Sequence, residues 1–525
     1  MTGTAGLIRL ILRRDRALLP IWVIIFGLLP AGYLASFQGL FGTDAERVQY
    51  ATVSAGNAGF VALYGLLKGD SFADLTVWRA GFVPVMIGLC ALLTVVRHTR
   101  ADEETGRTEL IGATVVGRHA QLAAALLVTA AASVVMGLLV VAGMTGKGAP
   151  VTGSLAFGAE FTLSGWLFAA VAAITAQLTS GARSARSIAV VVLGAAYALR
   201  VGGDVSALGD GKVSWLSWIS PLGWVTHIFP YGSVNWWPVV LSVLFTAAAT
   251  AVAVILRGRR DVGDGLIAAR LGRSTAAPGL RTPLALAWRL HRGLLIGWTV
   301  GLGLLGLIFG GVGGSVLDIA GDNRELTDIF ARFGGSDQLI DSYFAGTAGI
   351  VGLIAACYAV QATLRLRDEE ATGHAEAVLS TAVSRTGWAA SHLLFALLGP
   401  ALALFAEGLV AGLVYTDGDL GDILAGTMIQ LPAVWVLASV AVLVVGLLPR
   451  WSLVAWAAPA LSLLILLVGG TLQLSQWVLD ISPFTHVPHL PGVAFTATPV
   501  IILLAVAVVL AGGGMAALRR RNLPA

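Results

Sequence analysis

AQLAAALLVTAAASVVMGLLVVAG, residues 120–143, holds no charged side chain. Coiled as a helix at 1.5 Å per residue, a run of this length spans roughly 36 Å. That exceeds a bilayer hydrocarbon core of about 30 Å. Inside that core every backbone amide needs an internal partner, so the run predicts a membrane-spanning helix. Its Leu, Val and Ala are continuous rather than alternating with period two, which argues against a β-barrel strand.

Working outward, eleven further runs of the same kind appear. The predicted spans are 17–38, 79–97, 120–143, 156–178, 187–207 and 236–256, then 293–314, 346–364, 390–414, 423–447, 452–471 and 496–517. The composition agrees: of 525 residues, 57% are hydrophobic and 12% charged, against about 25% charged in soluble domains. The first run follows Arg9, Arg13, Arg14 and Arg16. It is long for a signal peptide core and its pattern returns mid-chain, so it reads as a retained span. Cys90 and Cys357 both fall inside spans, where they read as buried thiols rather than a disulfide or metal framework.

Lys and Arg sort the connections into two sets. One set, with the N-terminus, Arg97, Arg100, Arg107, Arg118, the 257–292 segment, Arg365, Arg367, Arg385, Arg450 and the C-terminus, holds 25; the other, including Arg47, Arg79, Arg200, Arg324 and Arg332, holds 8. The positive-inside rule then puts both termini in the cytoplasm.

The two halves repeat. RADEETGRTELIGATVVGR (100–118) aligns with RDEEATGHAEAVLSTAVSR (367–385) at an offset of 267. Glu103 meets Glu370, Thr105-Gly106 meets Thr372-Gly373, Glu109 meets Glu376 and Cys90 meets Cys357. Arg13, Arg16 and Trp22 parallel Arg289, Arg292 and Trp298; SWISPLGWVTHIFPYG (217–232) parallels DISPFTHVPHLPG (480–492). Six spans per half make the repeat parallel, related by an axis along the membrane normal. The expected organisation is a first six-helix half at 1–256, a cytoplasmic linker at 257–292 and a second half at 293–525.

Each half opens on a basic amphipathic stretch, Leu7–Arg16 and Leu284–Arg292, of the kind that lies in the membrane interface. The long connection between the second and third spans starts with Asp102, Glu103 and Glu104, suited to a helix N-terminus. Leu110, Ile111, Thr114 and Val115 follow as an apolar stripe. A short helix of this type docks into a groove on a soluble partner. The Trp- and Pro-rich stretch before the sixth span predicts short helices on the outer side, broken by proline. His227 and His486 within these stretches read as structural.

Ionisable groups inside spans mark functional positions. Glu407 in ALALFAEGLVAGL stands toward the outer side, and its first-half counterpart is Val140. Gln177, Gln361 and Gln430 offer neutral polar contacts to a substrate pathway. Asp204 and Asp318 lie near outer span ends, where they can reach water. No catalytic constellation, metal-ligand cluster or nucleic-acid motif occurs. MTGKGAP (144–150) has Gly where a phosphate-binding loop needs Ser or Thr, so the chain has no ATPase of its own.

The Glu-Glu-x-Gly-x-x-Glu segment, the amphipathic lead-in helix and the hairpin before the sixth span resemble the permeases of the type-2 ABC superfamily. Twelve spans in one chain resemble its fused actinobacterial members, the tetronasin-type exporters of polyketide antibiotics. The second half departs from the motif at Ala371 and at His374-Ala375. The resemblance implies an all-α polytopic protein in the bacterial plasma membrane that moves hydrophobic or amphipathic drug-like compounds outward. It implies two copies of a separate ATPase, which bind ATP and Mg. One copy meets Glu103, Glu104, Thr105, Gly106 and Glu109; the other meets Glu369, Glu370, Thr372, Gly373 and Glu376. A secondary transporter of the major facilitator type shares the two parallel six-span halves, but its usual Gly-Asp-Arg-Gly-Arg-like loop is missing. A non-transporting membrane scaffold is the other alternative.

Overall fold

A computed structural model describes residues 2–209, 211–267, 275, 277–314, 339–468 and 475–521. Among them every regular element is helical, and twelve helices are long and apolar enough to cross a membrane. The chain divides into two compact units, residues 1–272 and 273–525.

In the first unit a short helix α1 (Thr4–Arg14) precedes the span α2 (Leu18–Leu40). Three short helices follow, α3 (Asp44–Gly56), α4 (Ala58–Tyr64) and α5 (Phe72–Arg79). Span α6 (Val83–His98) bends at Thr99 into α7 (Arg100–Glu104), and α8 (Arg107–Gly112) completes the connection. Spans α9 (Ala120–Gly146), α10 (Val151–Leu178) and α11 (Ala182–Ser206) lead to a hairpin of α12 (Leu216–Ile219) and α13 (Pro221–Thr226). Span α14 (Trp237–Gly258) ends the unit's helices.

The core forms around α10, where Leu163, Leu167 and Phe168 meet Leu92 and Val95 of α6 and Leu193 of α11. Phe157 and Phe161 face Trp22, Met136 and Val140. Lipid gives helices no hydrophobic reason to associate, so close packing of small residues matters. Gly137 and Gly158 supply it: a Cβ on Gly158 would lie 2.7 Å from Val141 Cγ2.

The second unit repeats the order. Its spans are α15 (Pro283–Gly313), α16 (Leu339–Ala371), α18 (Arg385–Val414) after the short α17 (His374–Leu379), α19 (Leu420–Met428) continued by α20 (Leu431–Leu447), a 3-10 stretch Pro449–Trp456 continued by α21 (Ala457–Val468), and α23 (Ala497–Arg520), with α22 (Gln476–Leu479) before it. Here Gly306 and Gly310 let α15 close on α18, and a Cβ at Gly310 would meet Ala411 Cα at 3.0 Å.

Several expectations change. In the amphipathic stretch of the first half Leu7 and Ile11 are buried against Ala120, Ala124 and Val128 of α9, while Leu10 and Leu12 stay exposed. In the second half no separate helix exists, because Thr282 caps and Pro283 starts one helix that runs unbroken into the span. The first half breaks at Asp15, whose carboxylate lies 2.5 Å from His98 Nε2 and 3.0 Å from Arg97 Nη1. The described parts of the stretch 257–292 are tied to the helices beside it. Leu266 and Ile267 amides donate to the carbonyls of Gln177 and Leu178 (3.1 and 2.8 Å), while residues 283–292 belong to α15.

Asp204 does not reach water. It is buried, accepts from the Ser217 hydroxyl at 2.6 Å and pairs with buried Arg200 at 3.6 Å. Arg200 also donates to the carbonyls of Val61 and Leu63, fastening α4 to α11. Asp318, Arg324 and Arg332 lie outside the described residues. Beside this network Arg79 donates to the Tyr64 hydroxyl, whose burial pushes it up to about 12. The expected short helices before the sixth span are α12 and α13 in one unit and α22 with a 3-10 turn Pro483–His486 in the other. Both histidines meet backbone carbonyls: His227 Nδ1 lies 2.6 Å from Gly223 O, and His486 Nε2 3.0 Å from Asp480 O.

Candidate functional site

The connection between the second and third spans of each unit is the candidate site. In both units a helix ends on Thr-Gly. The hydroxyls of Thr105 and Thr372 donate back to the carbonyls of Ala101 and Asp368 (3.0 and 2.8 Å). Gly106 and Gly373 then reverse the chain at φ 71° and 76°, and a second short helix follows. A left-handed backbone disfavours any Cβ, which is why the sequence repeats Gly here. Gly106→Ala should cost about 1–2 kcal/mol. Thermal unfolding of the purified chain checks it, and the same loss is expected for Gly373→Ala.

Behind this joint sits a buried ion cluster. Glu103 is fully enclosed: Arg100 Nη1 donates to its Oε2 at 2.7 Å, while Arg257 Nη1 and Arg260 Nη2 donate to its Oε1 at 2.7 and 2.8 Å. Three guanidinium groups around one carboxylate leave an excess of positive charge. It is taken up by backbone carbonyls, one of them in the last turn of α10, where the helix dipole favours cations. Arg100 donates to Ala176 O and Asp264 O, and Arg257 to Arg118 O. The Gln177 side chain accepts from Arg260 Nε at 2.8 Å and so joins this cluster.

The remaining acids tie other span ends. Glu104 Oε2 accepts the Ala182 amide at 3.0 Å and so caps α11. Asp102 accepts from Arg14 Nη1 at 2.7 Å and Arg107 Nη1 at 3.2 Å, joining α1 to the segment. The bond to Asp102 raises the Arg14 guanidinium further above its ordinary value. Through these ties the ends of α2, α6, α11 and α14 all bear on residues 97–104. Glu109 is exposed, and so are Leu110 (76%) and Val115 (85%). The apolar stripe is shorter as a helix than expected: α8 stops at Gly112, and Ile111 turns inward with Val116 against α1.

The second unit keeps the core of this design. Glu370 accepts a two-pronged contact from Arg521 Nη2 (2.6 and 2.7 Å) at the end of α23 and lies 3.5 Å from Arg367 Nη1. Two ties are lost. Glu369 pairs with Arg365 on its own helix at 2.9 Å, and Ala371 stands where Glu104 caps α11. Glu376 is exposed on α17.

Of the other polar residues, Gln361 is exposed and accepts from Trp298 Nε1 at 3.0 Å. Gln430 is buried at the break between α19 and α20 with its Oε1 unpartnered. Glu407 is buried and accepts from the Thr427 hydroxyl at 3.2 Å. Sequence reasoning missed Glu160, equally buried in α10. An acid in an otherwise apolar span was signal enough, but Thr162 and Ser164 beside it weakened the contrast.

The chain matches the family described as multidrug efflux system permease Rv1217c, C-terminal domain, over residues 5–256 and 280–519. It belongs to that family. Among curated relatives, it is 44% identical to the multidrug efflux system permease protein Rv1217c of Mycobacterium tuberculosis (strain ATCC 25618 / H37Rv), across 99% of this chain and 95% of the relative. This member of the permease family therefore matches its relative over nearly its whole length.

Proposed function

We propose that this chain is the membrane permease of an ATP-driven drug exporter, moving hydrophobic or amphipathic compounds out of a bacterial cell. The observation that carries the reading is the pair of span-connecting segments, each ending in an exposed face and each fastened by a buried glutamate to the last span of its unit. Full-length likeness to a multidrug efflux permease supports it. In this reading the segments and both termini face the cytoplasm, consistent with the 25 to 8 division of Lys and Arg.

Two copies of a separate ATPase, which bind ATP and Mg, dock one on each segment. Leu110 and Val115 supply the apolar contact of the first, with Glu109 and Gly106 beside them; Glu376 and Gly373 occupy the matching face of the second. Glu103 and Glu370 act from behind as struts rather than as contacts. When the ATPase pair closes on ATP, each segment moves as a rigid piece and carries the attached span ends with it. Substrate is released on the side away from the ATPase.

The test is reconstitution of the chain with its ATPase in lipid vesicles. The expected result is a stable complex of one permease with two ATPases and drug-stimulated ATP hydrolysis. Drug movement driven by a proton gradient without ATP would overturn the proposal.

A further inference from the structure

Carboxyl groups deep in a span are rare because an acid in hydrocarbon costs several kcal/mol. Among the described residues only Glu160 and Glu407 lie seven or more positions from both ends of their spanning helix. Glu160 is nine residues from Val151 and Glu407 seven from Val414, or about 14 and 10 Å. Both of those helix ends are the ones away from the Glu103 and Glu370 segments, since α9 and α18 start beside them and α10 returns toward them. Each unit thus carries one carboxyl at comparable depth in the distal half of the membrane.

Neither has a cation. At the segment joints Asp102, Glu103, Glu369 and Glu370 each hold a guanidinium and Glu104 an amide, yet among the described residues no Arg or Lys pairs with Glu160 or Glu407. Glu160 is 1% exposed and its Oε2 has no hydrogen-bond partner; Glu407 has the Thr427 hydroxyl. A packing role is met more cheaply by Gln or Leu, because a buried polar atom without a partner is itself costly. The two acids are not copies of one ancestral position. Glu407 aligns with Val140, and Glu160 aligns with Thr427.

The distal end of the Glu160 helix packs against the hairpin before α14. Gly153, two turns away on the same face of α10, and Ser154 close against that hairpin, with Ser154 Oγ 2.9 Å from the Tyr231 hydroxyl. Glu407 sits where Gly306 lets α15 press on its backbone.

We infer that Glu160 and Glu407 are cation-accepting groups that open to the pathway during transport, and that the compounds they select are amphipathic organic cations. This rests on the exporter reading above and adds the substrate's charge to it.

The test uses the full chain with its ATPase and two probes of similar bulk, tetraphenylphosphonium and neutral triphenylphosphine oxide. Glu160→Gln and Glu407→Gln should each weaken equilibrium binding of tetraphenylphosphonium at least tenfold, with Glu160→Asp and Glu407→Asp retaining most of it. Binding of the neutral probe should change less than twofold. In the wild-type protein, tetraphenylphosphonium should protect both carboxyls from dicyclohexylcarbodiimide labelling, a readout that needs no variant. Unchanged cation binding in the double Gln variant, equal losses for both probes, or labelling that the cation does not slow would each overturn the inference. ATP-driven efflux of both probes is measured alongside. Efflux of either probe leaves the exporter reading standing when charge selection fails, and efflux of neither by the wild type defeats that reading instead.

Discussion

Glu103→Ala should lower the stability of the first unit by about 3–5 kcal/mol, the usual range when one partner is removed from a buried ion cluster. The reason is geometric. The carboxylate accepts from Arg100, Arg257 and Arg260, all three of them buried, and the last two reach it from more than 150 positions away in sequence. Removing it leaves like charges facing each other with only carbonyls to hold them. The end of α14 and residues 261–267 should then detach from the ends of α6 and α10. Chemical unfolding of the detergent-purified chain, compared with Glu103→Gln, measures this. A loss under about 1 kcal/mol, the scale of an exposed pair, would mean that the carbonyls alone hold the arginines. Glu370→Ala should act in the same direction but more weakly, since it releases two partly exposed guanidinium groups.

Leu110→Asp combined with Val115→Asp should leave stability within about 0.5 kcal/mol, as exposed substitutions generally do. Drug-stimulated ATP hydrolysis should nonetheless fall by an order of magnitude or more. Both side chains are exposed, and neither touches the Glu103 cluster. A hot-spot contact contributes about 2 kcal/mol or more to an interface, and replacing two apolar contacts with charge adds a desolvation cost. The ATPase titrated against the variant in vesicles gives the affinity directly. An unchanged midpoint would place the docking surface elsewhere. The contrast between this pair and Glu103 separates failure to dock from failure to transmit.

Much of this was legible in the chain. The apolar runs located all twelve spans, because a helix in lipid must be apolar along its length whatever it packs against. The repeated Thr-Gly marked an equivalent position in both halves, and a left-handed turn there is what selects Gly. What the sequence hid was pairing. Nothing near Glu103 announces Arg257 or Arg260, so the buried cluster around it was not legible. Leu7 and Ile11 form an apolar stripe that lipid or protein can cover equally well, and here α9 covers it. Gln177, at the end of its span, offered no sign of the arginine it accepts from 83 positions away. Glu160 was open to detection by the same rule that found Glu407.

Glu104 caps α11, and Ala371 leaves its counterpart without such a cap. In a transporter assembled from two identical chains, any such change would appear on both sides at once. One gene holding both copies lets them diverge, so one joint can stiffen while its twin stays compliant. It also gives the experimenter a clean handle: a single substitution alters one arm alone, with no need to sort mixed dimers.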